Sequence, residues 1–215
     1  MDGASVLPSP HETIYVFDEA HSLAAKAVEH FSARHALRGA MEWLEGACNA
    51  VRDAVLGLRL DEQLIRDSRA SAERMERALR DLHSRIHGTN GFEEKRARRF
   101  RSGPLPDWCK SAGGQVLAAG EELQKTFASL REHVLEKAPS VGALATQVLS
   151  VLGFYVVRLD NLVDTWQLML TEQPEGSPPI ARWIEQHDEG GRPDDYQVCA
   201  SPISGSDKLR KLLWN

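Results

Sequence analysis

Residues 139–170 read PSVGALATQVLSVLGFYVVRLDNLVDTWQLML, and the spacing of their apolar side chains decides the architecture. Val141, Ala145, Val148, Leu152, Tyr155, Leu159, Leu162, Trp166 and Met169 are separated by four and three residues in unbroken alternation. That spacing keeps one stripe on a single face of an α-helix and does not fit the two-residue period of a strand. Pro139 and Ser140 suit the start of the helix, because the N–H that proline lacks is an unused one in a first turn. The stripe is heptad-like, and in a chain of mixed character it is expected to be bundle core rather than the seam of a dimeric coiled coil.

Working outward, the same signal recurs. Ala40, Leu44, Ala47, Val51, Val55 and Leu58 mark one further helix, and Ile65, Ala72, Met75, Leu79, Leu82 and Ile86 mark another. Val116, Leu123, Phe127, Leu130 and Val134 mark a fourth, and Leu23, Ala27, Phe31 and His35, four apart, the face of a short first one. Between them, residues 87–114 carry Gly88, Gly91, Gly103, Pro104, Pro106, Gly113 and Gly114 and read as a long loop or pair of turns. The stretch QPEGSPP at 173–179 is a helix stop, and Ile180–Glu185 after it reads as a strand or one helical turn.

The two ends differ from this helical middle. Thr13-Ile14-Tyr15-Val16-Phe17 is a continuous β-branched and aromatic run, too short for a helix, of the kind that is buried on both faces of a parallel sheet. Tyr196–Ala200 is a second strand candidate, followed by a short helix over Ser206–Trp214 that Ser206 or Asp207 can cap. The order is strand, long helical insertion, strand. Two strands so far apart do not make a stable sheet by themselves, so they are expected to belong to a larger one.

Composition narrows the function classes. With 42% hydrophobic and 27% charged residues, the 215-residue chain is expected to fold rather than to be disordered. The net charge of -5 gives no global basic field, so any nucleic-acid contact must be local. No apolar run approaches the ~20 residues that span a bilayer, and the first ten residues do not resemble a secretory signal, so a cytoplasmic protein is expected. Cys48, Cys109 and Cys199 form no C-x-x-C pair and read as small buried apolar residues in a reducing compartment. No H-E-x-x-H occurs among the eight histidines, which argues against zinc. Trp43, Trp166, Trp183 and Trp214 read most simply as core or interface aromatics, with base stacking by one of them as the lesser alternative.

Asp18-Glu19-Ala20-His21 follows the first strand candidate directly. In an open α/β sheet, ligands bind beyond the carboxyl ends of the strands. Two adjacent carboxylates held there can meet a nucleotide's Mg²⁺, which favours one or two carboxylates plus water and phosphate oxygens. The second carboxylate can orient or deprotonate an attacking water. A bare tetrapeptide of this kind would otherwise read as an acidic helix start that complements the dipole. Its position behind IYVF favours the nucleotide reading.

The segment ETIYVFDEAHSLAAKAVEHF (residues 12–31) resembles the Walker B region of the DinG and XPD group of superfamily 2 helicases. DGASVLPSP (2–10) is similar to the lead-in of bacterial DinG proteins, and DYQVCASPISGSDKLRKLLWN (195–215) to the strand and helix that precede their Thr-Ser-Ala-Thr motif. RRFRSGPLPDW (98–108) is similar to one of their loops. The resemblance implies a mainly α fold, a helical arch-like bundle inserted between strands of an incomplete RecA-like α/β motor domain. The implied units are residues 1–36 and 173–215 as motor-domain segments and 37–172 as the arch-like insertion.

The resemblance further implies that Asp18 holds the Mg²⁺ of bound ATP, Glu19 acts as base or positions the water, and His21 couples nucleotide state to DNA. Partners would be single-stranded DNA and the rest of the motor. No G-x-x-x-x-G-K-[ST] phosphate loop, Thr-Ser-Ala-Thr motif or second motor domain is present, so this piece is expected to be inactive alone, whether as a truncation or a split reading frame. The family's iron–sulfur cysteines would lie upstream of the Walker B strand, outside this chain. Lys95, Arg96, Arg98, Arg99 and Arg101, with Phe100 among them and Trp108 nearby, form the dense basic patch and suit single-stranded nucleic acid. Read instead as a solvated loop, the patch is partly neutralised by Glu93 and Glu94. Unpaired strand edges would favour self-association. The rival reading is a stand-alone helical interaction protein in which the acidic box merely begins a helix.

Overall fold

Four of the apolar stripes become four long antiparallel helices whose buried faces meet in one core. A computed structural model describes residues 13, 14, 16, 18–88, 97–100, 105–172, 179–189 and 192–205. A short helix α1 (Leu23–His30) leads into strand β1 (Ala33–Ala36), helices α2 (Leu37–Leu58) and α3 (Gln63–His87), and strand β2 (Ala97–Phe100). Helices α4 (Asp107–Val141) and α5 (Ala143–Leu170) follow, and strands β3 (Ile180–Glu189) and β4 (Arg192–Pro202) complete the order. Neighbouring helices pack in sequence order, and α2 also meets α5, which closes the bundle. Met75, Leu79, Leu82, Leu130, Leu162, Trp166 and Met169 are fully buried in it. Each large aliphatic side chain so placed contributes roughly 1.5–3 kcal/mol.

The helix boundaries correct three expectations. Pro139 lies inside the last turn of α4 rather than at the start of the next helix. Proline's fixed φ is compatible with a helical residue, and the reversal is made by Gly142, whose φ of 45° places it in the left-handed region. Residues 107–114 are helical, not loop. Gly113 is there for packing: a Cβ at this position would overlap the indole of Trp166 on α5. The first helix ends at His30, so His35 sits in β1, where Ala33 and His35 are buried and Arg34 is exposed. Its four-residue spacing from Phe31 coincides with the two-residue period of a strand.

The strands pair among themselves in the order β1-β4-β3-β2, all antiparallel. Tyr196–Ala200 is therefore not an orphan strand awaiting a larger sheet: β4 is paired on both sides, and the edges are the four-residue β1 and β2. The orphan-strand argument for self-association does not apply to it. Ile180–Glu185 is strand, within β3. One face of the sheet, with Ala33, His35, Ile184, Tyr196, Val198 and Ala200 buried, packs against the end of the bundle, chiefly α5 and α2. Asp195 fastens the two parts together, its Oδ1 accepting the Arg38 N–H (3.0 Å) in the first turn of α2.

The expected first strand is not formed at the positions described. Thr13, Ile14 and Val16 have no regular secondary structure, and Ile14 and Val16 are 91% and 90% exposed. An apolar run suited to burial on both faces needs a strand on each side, and none of the four strands pairs with it. Tyr15, Phe17, the helix expected over 206–214 and residues 173–178 lie outside the described residues.

Measured as a helix rather than as an uninterrupted apolar run, α5 is long and apolar enough to cross a membrane by length and composition. One side of it is bundle core, while Leu144, Val151, Phe154 and Val157 are exposed.

Candidate functional site

The acidic box forms the turn that opens into α1. Asp18 and Glu19 precede a 3-10 turn at Ala20–Ser22, and Asp18 Oδ1 accepts the Glu19 N–H at 2.9 Å. The Ser22 hydroxyl and backbone N–H both donate to the Glu19 carbonyl at 3.0 Å. Glu19 has a φ of 53°, uncommon for a residue with a side chain. Its carboxylate lies 3.0 Å from His21 Nδ1, and both side chains are largely exposed. The chain thus brings Asp18, Glu19 and His21 together at one turn, in solvent.

This pair of carboxylates offers hard oxygen donors, which suit Mg²⁺ held mainly by water and phosphate. They do not make a protein-only metal site: among the described residues no cluster of three or more His, Cys, Asp or Glu is placed to hold an ion. The cysteines are poor candidates for metal or redox work. Burial pushes the thiols of Cys109 and Cys199 up to about 12 and raises that of Cys48. His35 is withdrawn from solvent as well, and burial pushes it down to about 4.

Of the basic patch, Lys95, Arg96 and Arg101 lie outside the described residues. Arg98 and Arg99 are in β2, not in a loop, and strand alternation sends them to opposite faces. Arg98 is partly buried beneath the sheet with its guanidinium 5.7 Å from the Trp108 ring centroid. Trp108 is thereby a partner of Arg98 within the protein. Arg99 is exposed and lies opposite Trp183 of β3.

That register continues across the sheet. Arg99 pairs with Trp183, Trp183 with Cys199, and Cys199 with Arg34, so one outward-facing row crosses all four strands. The density of positive letters at 95–101 pointed to β2 but not to Arg34 or Trp183. Gly190-Gly191 between two runs of strand-like residues was the hairpin signal that would have joined β3 to β4.

A separate apolar cleft of about 500 Å³ lies between α4 and α5, lined by Phe127, Leu135, Leu149, Leu152 and Val156 among others. Beside it, the Arg158 guanidinium stacks 3.5 Å over the Phe154 ring.

No protein-family model matches the chain. Over its whole length it is 29% identical to the ATP-dependent DNA helicase DinG of Photobacterium profundum, and it spans 31% of that protein's length.

Proposed function

We propose that the chain is a piece of a DinG-like, ATP-dependent DNA helicase, comprising the nucleotide-facing acidic box and a helical insertion. The observation that carries this reading is the similarity to a DinG helicase along the entire chain, with Asp18-Glu19-Ala20-His21 in it. In this reading Asp18 helps hold Mg²⁺ with ATP and Glu19 takes a proton from the attacking water. When bound, Mg²⁺ neutralises charge that builds on the phosphates. His21, 3.0 Å from the Glu19 carboxylate, can reorient the base when the DNA-facing side moves.

That the helical residues 37–172 belong to an insertion draws support from β1 and β4, whose ladder closes a unit that also takes in β3 and most of β4. Ala33 is paired with Ala200, so the chain leaves the helical body beside the point where it came in. A module inserted into another domain needs that geometry. Residues 1–36 and 173–215 would then continue into a RecA-like motor domain, whose strands would flank Thr13–Phe17. Of the basic run, Lys95, Arg96, Arg99 and Arg101 would meet single-stranded DNA, while Arg98 is turned inward onto Trp108, and the parent would work in DNA repair or replication in the cytoplasm. Any iron–sulfur cluster of the parent would take its ligands from outside this chain.

A second reading, a helical interaction protein without catalysis, has the exposed row Leu144, Val151, Phe154 and Val157 in its favour. Reading the genomic sequence in frame on both sides separates the two. The helicase reading expects a phosphate-binding loop upstream and Thr-Ser-Ala-Thr downstream, and DNA-stimulated ATP hydrolysis by the joined protein that falls about 10²–10⁴-fold in Glu19→Gln. The 215-residue chain should itself hydrolyse no ATP. In-frame stop codons on both sides, or ATP hydrolysis by the joined protein unaffected by Glu19→Gln, would leave the interaction reading.

A further inference from the structure

We propose that the outward face of the four-stranded sheet is a stacking platform for single-stranded DNA, with Trp183 as its aromatic surface and Arg34 and Arg99 as phosphate contacts at its two edges. This rests on the helicase reading for the choice of DNA, but its residues come from the strand register. Arg34, Cys199, Trp183 and Arg99 lie side by side across β1, β4, β3 and β2. With strands about 4.8 Å apart, the two arginines stand about 14 Å from each other with the indole between them. Both arginines are exposed and Trp183 is partly so.

The ring is held in a fixed attitude. Trp183 Nε1 donates to Glu185 Oε1 at 2.6 Å, and Cys199 beside it is buried. Glu185 is thereby occupied, and Asp195, on the same face by alternation, accepts the Arg38 and Tyr196 N–H groups. Neither Arg34 nor Arg99 has an ion pair among the described residues. The inward cations are engaged otherwise, Arg98 over Trp108 and Arg182 with the Thr171 carbonyl. The face therefore presents a partly exposed indole between two exposed cations, with Glu29 close enough to Arg34 to feel its charge and Glu185 held against the indole. Single-stranded nucleic acid needs this combination: bases stack without regard to sequence, and phosphates pair with the flanking charges.

The test uses the purified 215-residue chain and a short fluorescein-labelled oligothymidylate, followed by anisotropy over a range of salt. Wild type should bind, Trp183→Ala should bind roughly tenfold or more weakly, and Trp183→Phe should retain most of the affinity. Oligothymidylate should quench tryptophan fluorescence in wild type, with the quenching lost in Trp183→Phe, a readout that a purely structural role would leave unmoved. Arg34→Ser with Arg99→Ser should flatten the dependence of log K on log salt by roughly 1.4.

Circular dichroism checks the fold of each variant, and if Trp183→Ala does not fold, the quenching comparison with Trp183→Phe decides. Affinity and quenching unchanged by the Trp183 and Arg34/Arg99 substitutions would overturn the platform. If binding then falls only on replacing Lys95, Arg96 and Arg101 by serine, the helicase reading's DNA contact survives without the platform. Failure of wild type to bind would remove both from this chain.

Discussion

The hydroxyl oxygens of Ser32 and Ser201 lie 2.7 Å apart although 169 residues separate them in sequence. Beside them Ala33 and Ala200 are direct partners in the β1–β4 ladder, both buried. The whole helical body is therefore a closed excursion from one point on the sheet. Partners in an antiparallel ladder have Cα atoms about 4.5–5.5 Å apart, within the range a disulfide bridges. Ala33→Cys with Ala200→Cys should cross-link on mild oxidation, shown by faster migration in non-reducing gels. Closing so long a loop should raise stability by up to about 5 kcal/mol, as a higher Tm in the oxidised than in the reduced form. Failure to cross-link in the folded protein would mean that the two strands do not lie side by side.

Gly113 and Gly114 are neighbours in α4 with opposite surroundings. A Cβ on Gly113 would overlap the Trp166 ring, whereas one on Gly114 meets nothing within 4 Å. Helix propensity favours alanine over glycine by about 1 kcal/mol at both. Gly113→Ala should therefore lose stability, because overpacking against a buried indole costs about 1–3 kcal/mol, while Gly114→Ala should gain up to about 1 kcal/mol. Urea denaturation of the two variants measures this, and equal effects would show that Trp166 does not press on α4 at Gly113.

His35 supplies a pH dependence. Burial holds it neutral with a pKa of about 4, against opposing contributions from the Ala36 backbone and Asp195, whereas in the unfolded chain it titrates near 6.5. Its folded pKa is depressed, so between these values the unfolded state binds the extra proton. Stability should be full above pH 6.5 and fall as the pH drops towards 4, by about 3 kcal/mol in all for this group. Urea midpoints from pH 7 to pH 4 should show that slope in wild type and a shallower one in His35→Gln. Parallel curves would exclude His35 as the source.

The stripes of the four long helices were legible because each repeats its period over five or more apolar positions, as from Val141 to Met169. The sheet was legible only in part. Tyr196–Ala200 reads as a strand and lies in β4, and Ile180–Glu185, which reads as a strand or a helical turn, lies in β3. By contrast, β1 and β2 have four residues each, leaving two inward positions from which no period can be read. His35 illustrates the ambiguity, since it extends a helical spacing and a strand alternation equally well. Gly113 misled for a different reason: a glycine that makes room for an indole looks in sequence like one that makes a turn. Asp18, Glu19 and His21 meet at one turn, as neighbours in a four-residue box must. Its expected strand is unformed at Thr13, Ile14 and Val16 because pairing is a property of neighbours, and none of these four strands supplies them.

Arg98 and Arg99 are adjacent letters in one basic run, and the sheet gives them different work. Arg98 is partly buried, stacked on Trp108, with Nη1 enclosed and without a hydrogen-bond partner among the described residues. Its methylenes and its cation–π contact hold β2 to α4, so Arg98→Ala should destabilise the fold by about 1–2 kcal/mol. Arg99 is exposed, and Arg99→Ala should leave stability within about 0.5 kcal/mol of wild type. In the DNA-binding assay the order should reverse: Arg99→Ala should reduce the salt slope by roughly 0.7, the share of one phosphate contact on a single strand, and Arg98→Ala should not change it. A run of arginines acting only as a diffuse solvated patch would give both variants the same small loss in each measurement, and that result would remove β2's alternation from the account of binding.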